Sequence, residues 1–263
     1  MDKILLNDNE SDEEDINSLS NTQKRNIKKK IEKIDLPNTL FPIKGGDKTF
    51  KEKWEKGRNL LNIPKSYRMC LTGPPDSGKT HNILHILLRA DPSFEKIYLL
   101  HFDDTSKDYH GINFEERFSD IPSPLSFEKD TRKALIIEDF CFISLNKQQK
   151  KDINRLFSYA SSHNNLTIFV CVQNFTDLGS DVRRCCNVFC IFKQPDINAL
   201  QILARRVGMK NDDFMYIFNK YLLQPHNCLY IDLTLNSPAR FRINGFDVLK
   251  KVDGEWLIEE ENE

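Results

Sequence analysis

The run Gly73-Pro74-Pro75-Asp76-Ser77-Gly78-Lys79-Thr80 fits G-x-x-x-x-G-K-[ST], a spacing whose residue types dictate one chemistry. Glycine at both ends lets successive backbone N–H groups converge on phosphate oxygens where a side chain would block the approach. Lys79 adds an ammonium that reaches the β and γ phosphates of a nucleoside triphosphate. The Thr80 hydroxyl then serves Mg²⁺, which bridges the same two phosphates. ATP and Mg²⁺ are the cofactors this run implies, with Gly73 through Thr80 as the binding residues.

Hydrolysis needs more than a phosphate grip, because carboxylates must complete the metal shell and polarise the attacking water. The apolar run Lys133–Ile137 ends in Glu138-Asp139, which places two acids at the carboxyl edge of a sheet, where a phosphate loop also lies. One acid can hold the Mg²⁺ shell while its neighbour orients water, and spacing alone leaves the two roles exchangeable. The run Thr167–Val172 likewise stops at an amide, Gln173, which offers both donor and acceptor to the γ-phosphate or the water. Arg183 and Arg184 are candidates to stabilise transition-state charge across a subunit boundary.

Such residues meet only if strands deliver them to one edge. From Tyr67 onward, short apolar runs alternate with helical stretches, which predicts an α/β fold with a mostly parallel central sheet flanked by helices. Strands are read near Arg68–Leu71, Lys96–Phe102, Lys133–Ile137, Thr167–Val172, Val188–Phe192 and Leu229–Leu233. Ile153, Leu156, Phe157 and Ala160 recur at helical spacing and predict one helix from Lys147 to His163. Further helices follow Lys79, Pro195 and Asn211. The tail from Arg240 to Ile258 reads as a β extension closed by the turn Asp253-Gly254.

The chain has 263 residues, room for one large domain or two small ones. Residues 1–45 form an acidic and then basic arm too poor in apolar residues to pack, residues 46–235 the nucleotide-binding domain, and residues 236–263 the β extension with an acidic tail. The basic stretch Lys24–Ile34 reads as a solvated linker or as a nucleic-acid or nuclear-targeting tail. Apolar runs of about 18 residues are absent and the start is acidic, so secretion and membrane spanning are not expected. Seven cysteines, with Cys70, Cys141, Cys171 and Cys190 in apolar surroundings, suit reduced core thiols in an intracellular setting. Cys185, Cys186 and Cys190 lack the spacing of a zinc site.

Gly73–Thr80, the strand ending in Glu138-Asp139, and Ser162-His163-Asn164-Asn165-Leu166-Thr167 running into Gln173 together resemble the genome-packaging ATPases of the FtsK/HerA superfamily. The versions in poxviruses, other large DNA viruses, virophages and Polinton-like elements are the most similar. Arg183 and Asn187 before the next strand extend the likeness, which spans Tyr67 to Phe192. It implies a RecA-like sheet with the Gln173 strand inserted between the phosphate-loop strand and the acidic strand. It also implies a homo-oligomeric ring that drives double-stranded DNA into a capsid, at a capsid or portal vertex. Under the likeness Glu138 takes the metal-shell position with Thr80, and Asp139 the water-activating one. Ser162 stands where the family often has a base, leaving Arg183, Arg184 or Arg155 to act in trans. The expected setting is intracellular, in the nucleus or a cytoplasmic virus factory, or within the virion. A monomeric nucleotide kinase or switch-type NTPase is the alternative, with Arg205-Arg206 as a lid fragment, and an adaptor with a dead ATP site is a third reading.

Overall fold

The computed structural model describes residues 66–90, 93–103, 109, 111–235 and 238–259. The arm of residues 1–45, with its basic stretch, lies outside the described residues. Six expected strands are present: β1 Arg68–Thr72, β2 Lys96–Leu100, β4 Lys133–Ile137, β5 Leu166–Val172, β6 Val188–Phe192 and β7 Cys228–Asp232. A short strand, β3 Glu116–Phe118, was not legible, since three residues carry no measurable alternation. Strand β2 also stops earlier than its apolar run. Phe102 is 70% exposed beyond its end instead of lying in the strand.

The strands form a ten-stranded sheet in the order β10-β9-β8-β7-β6-β1-β5-β4-β2-β3, where β8 is Phe241–Ile243, β9 Asp247–Val252 and β10 Glu255–Ile258. From β6 to β3 all neighbours are parallel, while β7 to β10 are antiparallel. The sheet is therefore mostly parallel where the site lies, with an antiparallel C-terminal side. Strand β5, which ends at Gln173, lies between β1 and β4, the insertion the resemblance implies.

Successive residues of a strand face opposite sides, and the core divides accordingly. Cys70, Leu135, Ile137, Ile168, Val170, Phe189 and Ile191 pack on one face. Met69, Leu71, Ile136, Phe169, Cys171 and Cys190 pack on the other. Helix α1, Lys79–Arg89, covers the second face through Ile83, Ile86 and Leu87. Helices α2 Lys147–Arg155, α4 Ile197–Val207 and α5 Asn211–Tyr221 cover the first, with Val182 of the short α3, Ser180–Cys185. A parallel sheet with both faces covered must be apolar along whole strands, and β4, β5 and β6 are buried throughout.

Local chemistry sets the helix ends. Asn146 and Gln149 form a reciprocal capping box at the start of α2, and Asp196 accepts from Ala199 N (3.0 Å) to start α4. Gly208, at φ 72°, closes α4 in the left-handed conformation. The single helix expected from Lys147 to His163 is interrupted by a π-helical turn at Leu156–Ala160. Such a turn is satisfied by contacts from outside the helix, here the Arg68 guanidinium donating to Phe157 O (3.3 Å) and Ser162 Oγ (3.2 Å). The Asp253-Gly254 turn joins β9 and β10 with both φ values positive (50° and 91°), the geometry its sequence predicts. One thiol departs from expectation: Cys141 is exposed in the loop after β4, while Cys70, Cys171 and Cys190 are buried.

Candidate nucleotide-hydrolysing site

Parallel strands end together, so β1, β5 and β4 deliver Gly73, Gln173 and Glu138 to one edge. Thr72 pairs with Val172 and Ile137 with Val170, and Gly73 N donates to Val172 O (3.3 Å). Pro75, Asp76, Gly78, Lys79, Thr80, His81, Glu138, Asp139 and Gln173 line a cleft of about 420 Å³ there. The phosphate loop, both acids and the amide identified in the sequence thus share one cavity.

Within the loop, Gly73 has no room for a side chain, since a Cβ would lie 2.7 Å from Phe192 Cβ and 2.9 Å from Ser77 Oγ. Gly78 stands at φ 105°, a conformation only glycine adopts without strain, and opens α1. Lys79 Nζ donates to Gly73 O and Pro74 O, both at 2.8 Å, which curls the side chain back over the loop. From the other side, His226 Nδ1 contacts Ser77 O (3.2 Å), linking the loop before β7 to the phosphate loop. No sequence motif marked His226.

The two acids differ sharply in environment. Glu138 is 6% exposed, and both its oxygens accept hydroxyl donors: Thr80 Oγ1 at 2.7 Å on Oε1 and Tyr109 OH at 2.5 Å on Oε2. A buried carboxyl group is costly without such hydrogen-bond partners. The Asp139 side chain is 55% exposed, its backbone sits at φ 49°, and its Oδ2 lies 3.5 Å from His101 Nε2. Left-handed backbone at a non-glycine residue costs of order 1–3 kcal/mol and persists where the surroundings enforce it. Tyr109 and His101, from the loop after β2 and the end of β2, were not identified from sequence, because neither belongs to a motif.

The donor set fits a hard cation carried in with phosphates. Thr80 and Glu138 supply adjacent oxygens, and among the described residues no group of three or more His, Cys, Asp or Glu could cage a metal alone. Mg²⁺ is held in this way, by one or two protein oxygens plus substrate phosphate.

Helix α1 extends from the cleft through a chain of three side chains: His81 Nε2 lies 2.9 Å from His85 Nε2, and Arg89 Nη1 lies 2.5 Å from His85 Nδ1. Because a guanidinium only donates, His85 Nδ1 accepts, and its proton sits on Nε2, facing His81. Burial first, then the nearby Arg89 and His81, lower the His85 pKa from 6.5 to about 4, so the ring is neutral at pH 7.

The arginines fall elsewhere. Arg183 does not line the cleft; its guanidinium donates to Thr176 O (3.2 Å) and Leu178 O (2.8 Å) and lies over the Phe175 ring. Arg184 is exposed and ion-paired with Asp181, and Arg155 is exposed on α2. Arg206 donates to the carbonyls of Arg183 (3.2 Å), Arg184 (2.8 Å) and Cys186 (2.8 Å), closing the C-terminal end of α3, and Arg205 Nε donates to Gln201 O (3.3 Å). Arg206 thus joins α4 to the end of α3, while Arg205 stays exposed on α4. In the His-Asn segment, Asn164 is buried with Nδ2 on Pro124 O (3.3 Å), and the exposed His163 stacks on Tyr159.

Solved structures share this architecture. The genome packaging NTPase B204 from Sulfolobus turreted icosahedral virus 2, in complex with AMPPCP, aligns with a TM-score of 0.50 at 20% identity, over 69% of this chain and 97% of that one. The DNA-packaging ATPase B204 from Sulfolobus turreted icosahedral virus aligns at 0.49 and 16% identity, over 68% and 97%. EccC (ATPases 2 and 3) from Thermomonospora curvata aligns at 0.43 and 9% identity, over 71% and 39%. No family model matches the chain, and no curated protein matches it in sequence. The first of these likenesses defines the fold as that of a P-loop NTPase.

Proposed function

We propose that the chain is an ATP-hydrolysing motor of the viral genome-packaging type in the FtsK/HerA superfamily, moving double-stranded DNA into a capsid. The observation that carries this reading is the placement of β5 between β1 and β4, which brings Gln173 into one cleft with Lys79, Thr80, Glu138 and Asp139. A nucleotide kinase needs a mobile arginine lid, and Arg206 is pinned to three carbonyls.

In this reading the loop's N–H groups and Lys79 bind the triphosphate, and Thr80 with Glu138 hold Mg²⁺, which when bound offsets charge on the β and γ phosphates. Glu138 is suited to the metal shell because it is buried and already fixed on both oxygens. Asp139 is suited to orienting and deprotonating water because its carboxylate is open to the cleft. Gln173 contacts the γ-phosphate or the water. Arg183, Arg184 or Arg155 of a neighbouring subunit supplies the guanidinium of an assembled ring. Residues 1–45 form the acidic and then basic arm, 46–235 the ATPase domain and 236–263 the extension, in an intracellular or virion-associated setting. ATP turnover that rises with double-stranded DNA and falls with salt tests the motor, since phosphate contacts release counterions. Sedimentation with ATP tests the ring: a motor assembles, and a kinase stays monomeric.

A further inference from the structure

Behind Asp139 lies a side chain the proposed mechanism has not used. His101 follows β2, on the strand next to β4, and is 4% exposed. Its two ring nitrogens have different surroundings. Nδ1 is bracketed by the backbone of Asp103, with the carbonyl oxygen at 2.7 Å and the amide nitrogen at 3.0 Å. Nε2 is buried without a hydrogen-bond partner and has Asp139 Oδ2 3.5 Å away. Phe102 stacks on the ring at 5.3 Å and 24°, which restrains its plane.

These contacts select where the proton resides. A bare lone pair on Nε2 would face an ionised carboxylate, which is repulsive, whereas an N–H there is attracted to it. Asp103 offers Nδ1 both an N–H that can donate to it (3.0 Å) and a carbonyl oxygen that can accept from it (2.7 Å), so that side accommodates either tautomer, and the Asp139 carboxylate on the other side favours the proton on Nε2. The strained backbone of Asp139 has a counterpart in this arrangement: at φ 49° its carboxylate sits within reach of a buried imidazole and still lines the cleft.

We propose that His101 is a positioning residue that holds the Asp139 carboxylate toward the cleft through Nε2–H. The proposal rests on the reading of the cleft as a nucleotide-hydrolysing site and assigns a function to a residue of no recognised motif. Misplacing a catalytic group by about 1 Å can cost about 100-fold in rate, so loss of this contact falls on kcat and spares nucleotide binding.

The test compares two substitutions in the full chain. His101→Asn can keep the Asp103 contact but is too short to reach Asp139, whereas His101→Gln can present an N–H at the Nε2 position. The Asn variant is expected to lose kcat by about 10-fold to 100-fold with KM for ATP within about twofold, and the Gln variant to regain most of the rate. An Asn variant at the wild-type rate, or a Gln variant no better than Asn, overturns the proposal. A second readout needs no turnover: nitrogen NMR of the histidines should show His101 protonated at Nε2 and that resonance displaced by Asp139→Asn. A resonance unmoved by that substitution also overturns the proposal. If the wild-type protein hydrolyses no ATP, the hydrolytic reading fails by itself, and the nitrogen spectrum still decides whether His101 holds Asp139.

Discussion

Two hydroxyls on one buried carboxylate separate the roles of the acids. Glu138 accepts from Thr80 and Tyr109, so both of its oxygens are held in place by the chain's own hydroxyls. Removing one donor leaves a buried charge short of a partner, at about 1.5–3 kcal/mol for a hydrogen bond to a charged group. Tyr109→Phe is therefore expected to lower unfolding stability by about that amount in urea titrations and to raise the Mg²⁺ concentration needed for turnover. A variant with wild-type stability and Mg²⁺ dependence would show that the hydroxyl does nothing for Glu138. The neighbouring acid should respond differently. Asp139→Asn is expected to bind ATP with wild-type affinity yet lose turnover by at least about 100-fold, the contribution of a positioned general base. Equilibrium binding of a fluorescent nucleotide alongside turnover separates the two effects, and retained turnover would reassign the base to Glu138.

Helix α1 links the cleft to the sheet and carries a pH dependence of its own. The folded-state pKa of His85, about 4, lies below the ordinary 6.5, so between those values the unfolded chain holds more protons than the folded one. The stability this neutral histidine contributes is complete above about pH 6.5 and declines as the pH falls toward 4. Thermal melts from pH 7 to 4.5 should show a steeper loss of Tm for the wild type than for His85→Gln, and parallel curves would remove the effect. The six main strands, the phosphate loop, both acids and Gln173 were legible because each rests on a local pattern, an apolar run with a functional residue at its end. The π-helical turn was not, because one extra residue in a turn leaves the apolar spacing of the helix nearly unchanged, and its contact with Arg68 is remote in sequence. Tyr109 and His101 were hidden for a similar reason, since only strand pairing brings the end of β2 beside β4. Arg183 shows the opposite limit. Its residue type suggested a role across a subunit boundary, which belongs to an assembly and not to one chain, and within the chain its guanidinium donates to carbonyls of the segment before α3.

At the scale of the molecule, one sheet joins the parallel side that bears the site to the antiparallel side formed by β7 to β10. The last hairpin is anchored by buried Leu249, by Tyr221 OH donating to Trp256 O (2.8 Å) and by Lys251 on Asp213 (2.7 Å). The ion pair is at the surface and worth little, so Leu249 should dominate. Leu249→Ala is expected to cost about 2–4 kcal/mol and lower Tm by roughly 4–10 °C in a single transition. A separate early transition would mean that the hairpin folds apart from the rest. His226 ties the segment before β7 to Ser77, so the antiparallel side also touches the phosphate loop. The central claim concerns the whole assembly of loop, acids and amide, and steady-state ATP turnover with and without double-stranded DNA tests it most directly. The account predicts hydrolysis that DNA accelerates and that Lys79→Ala abolishes in a folded protein. Turnover unaffected by Lys79→Ala, or a wild-type protein that hydrolyses no ATP in the presence of DNA, would contradict it.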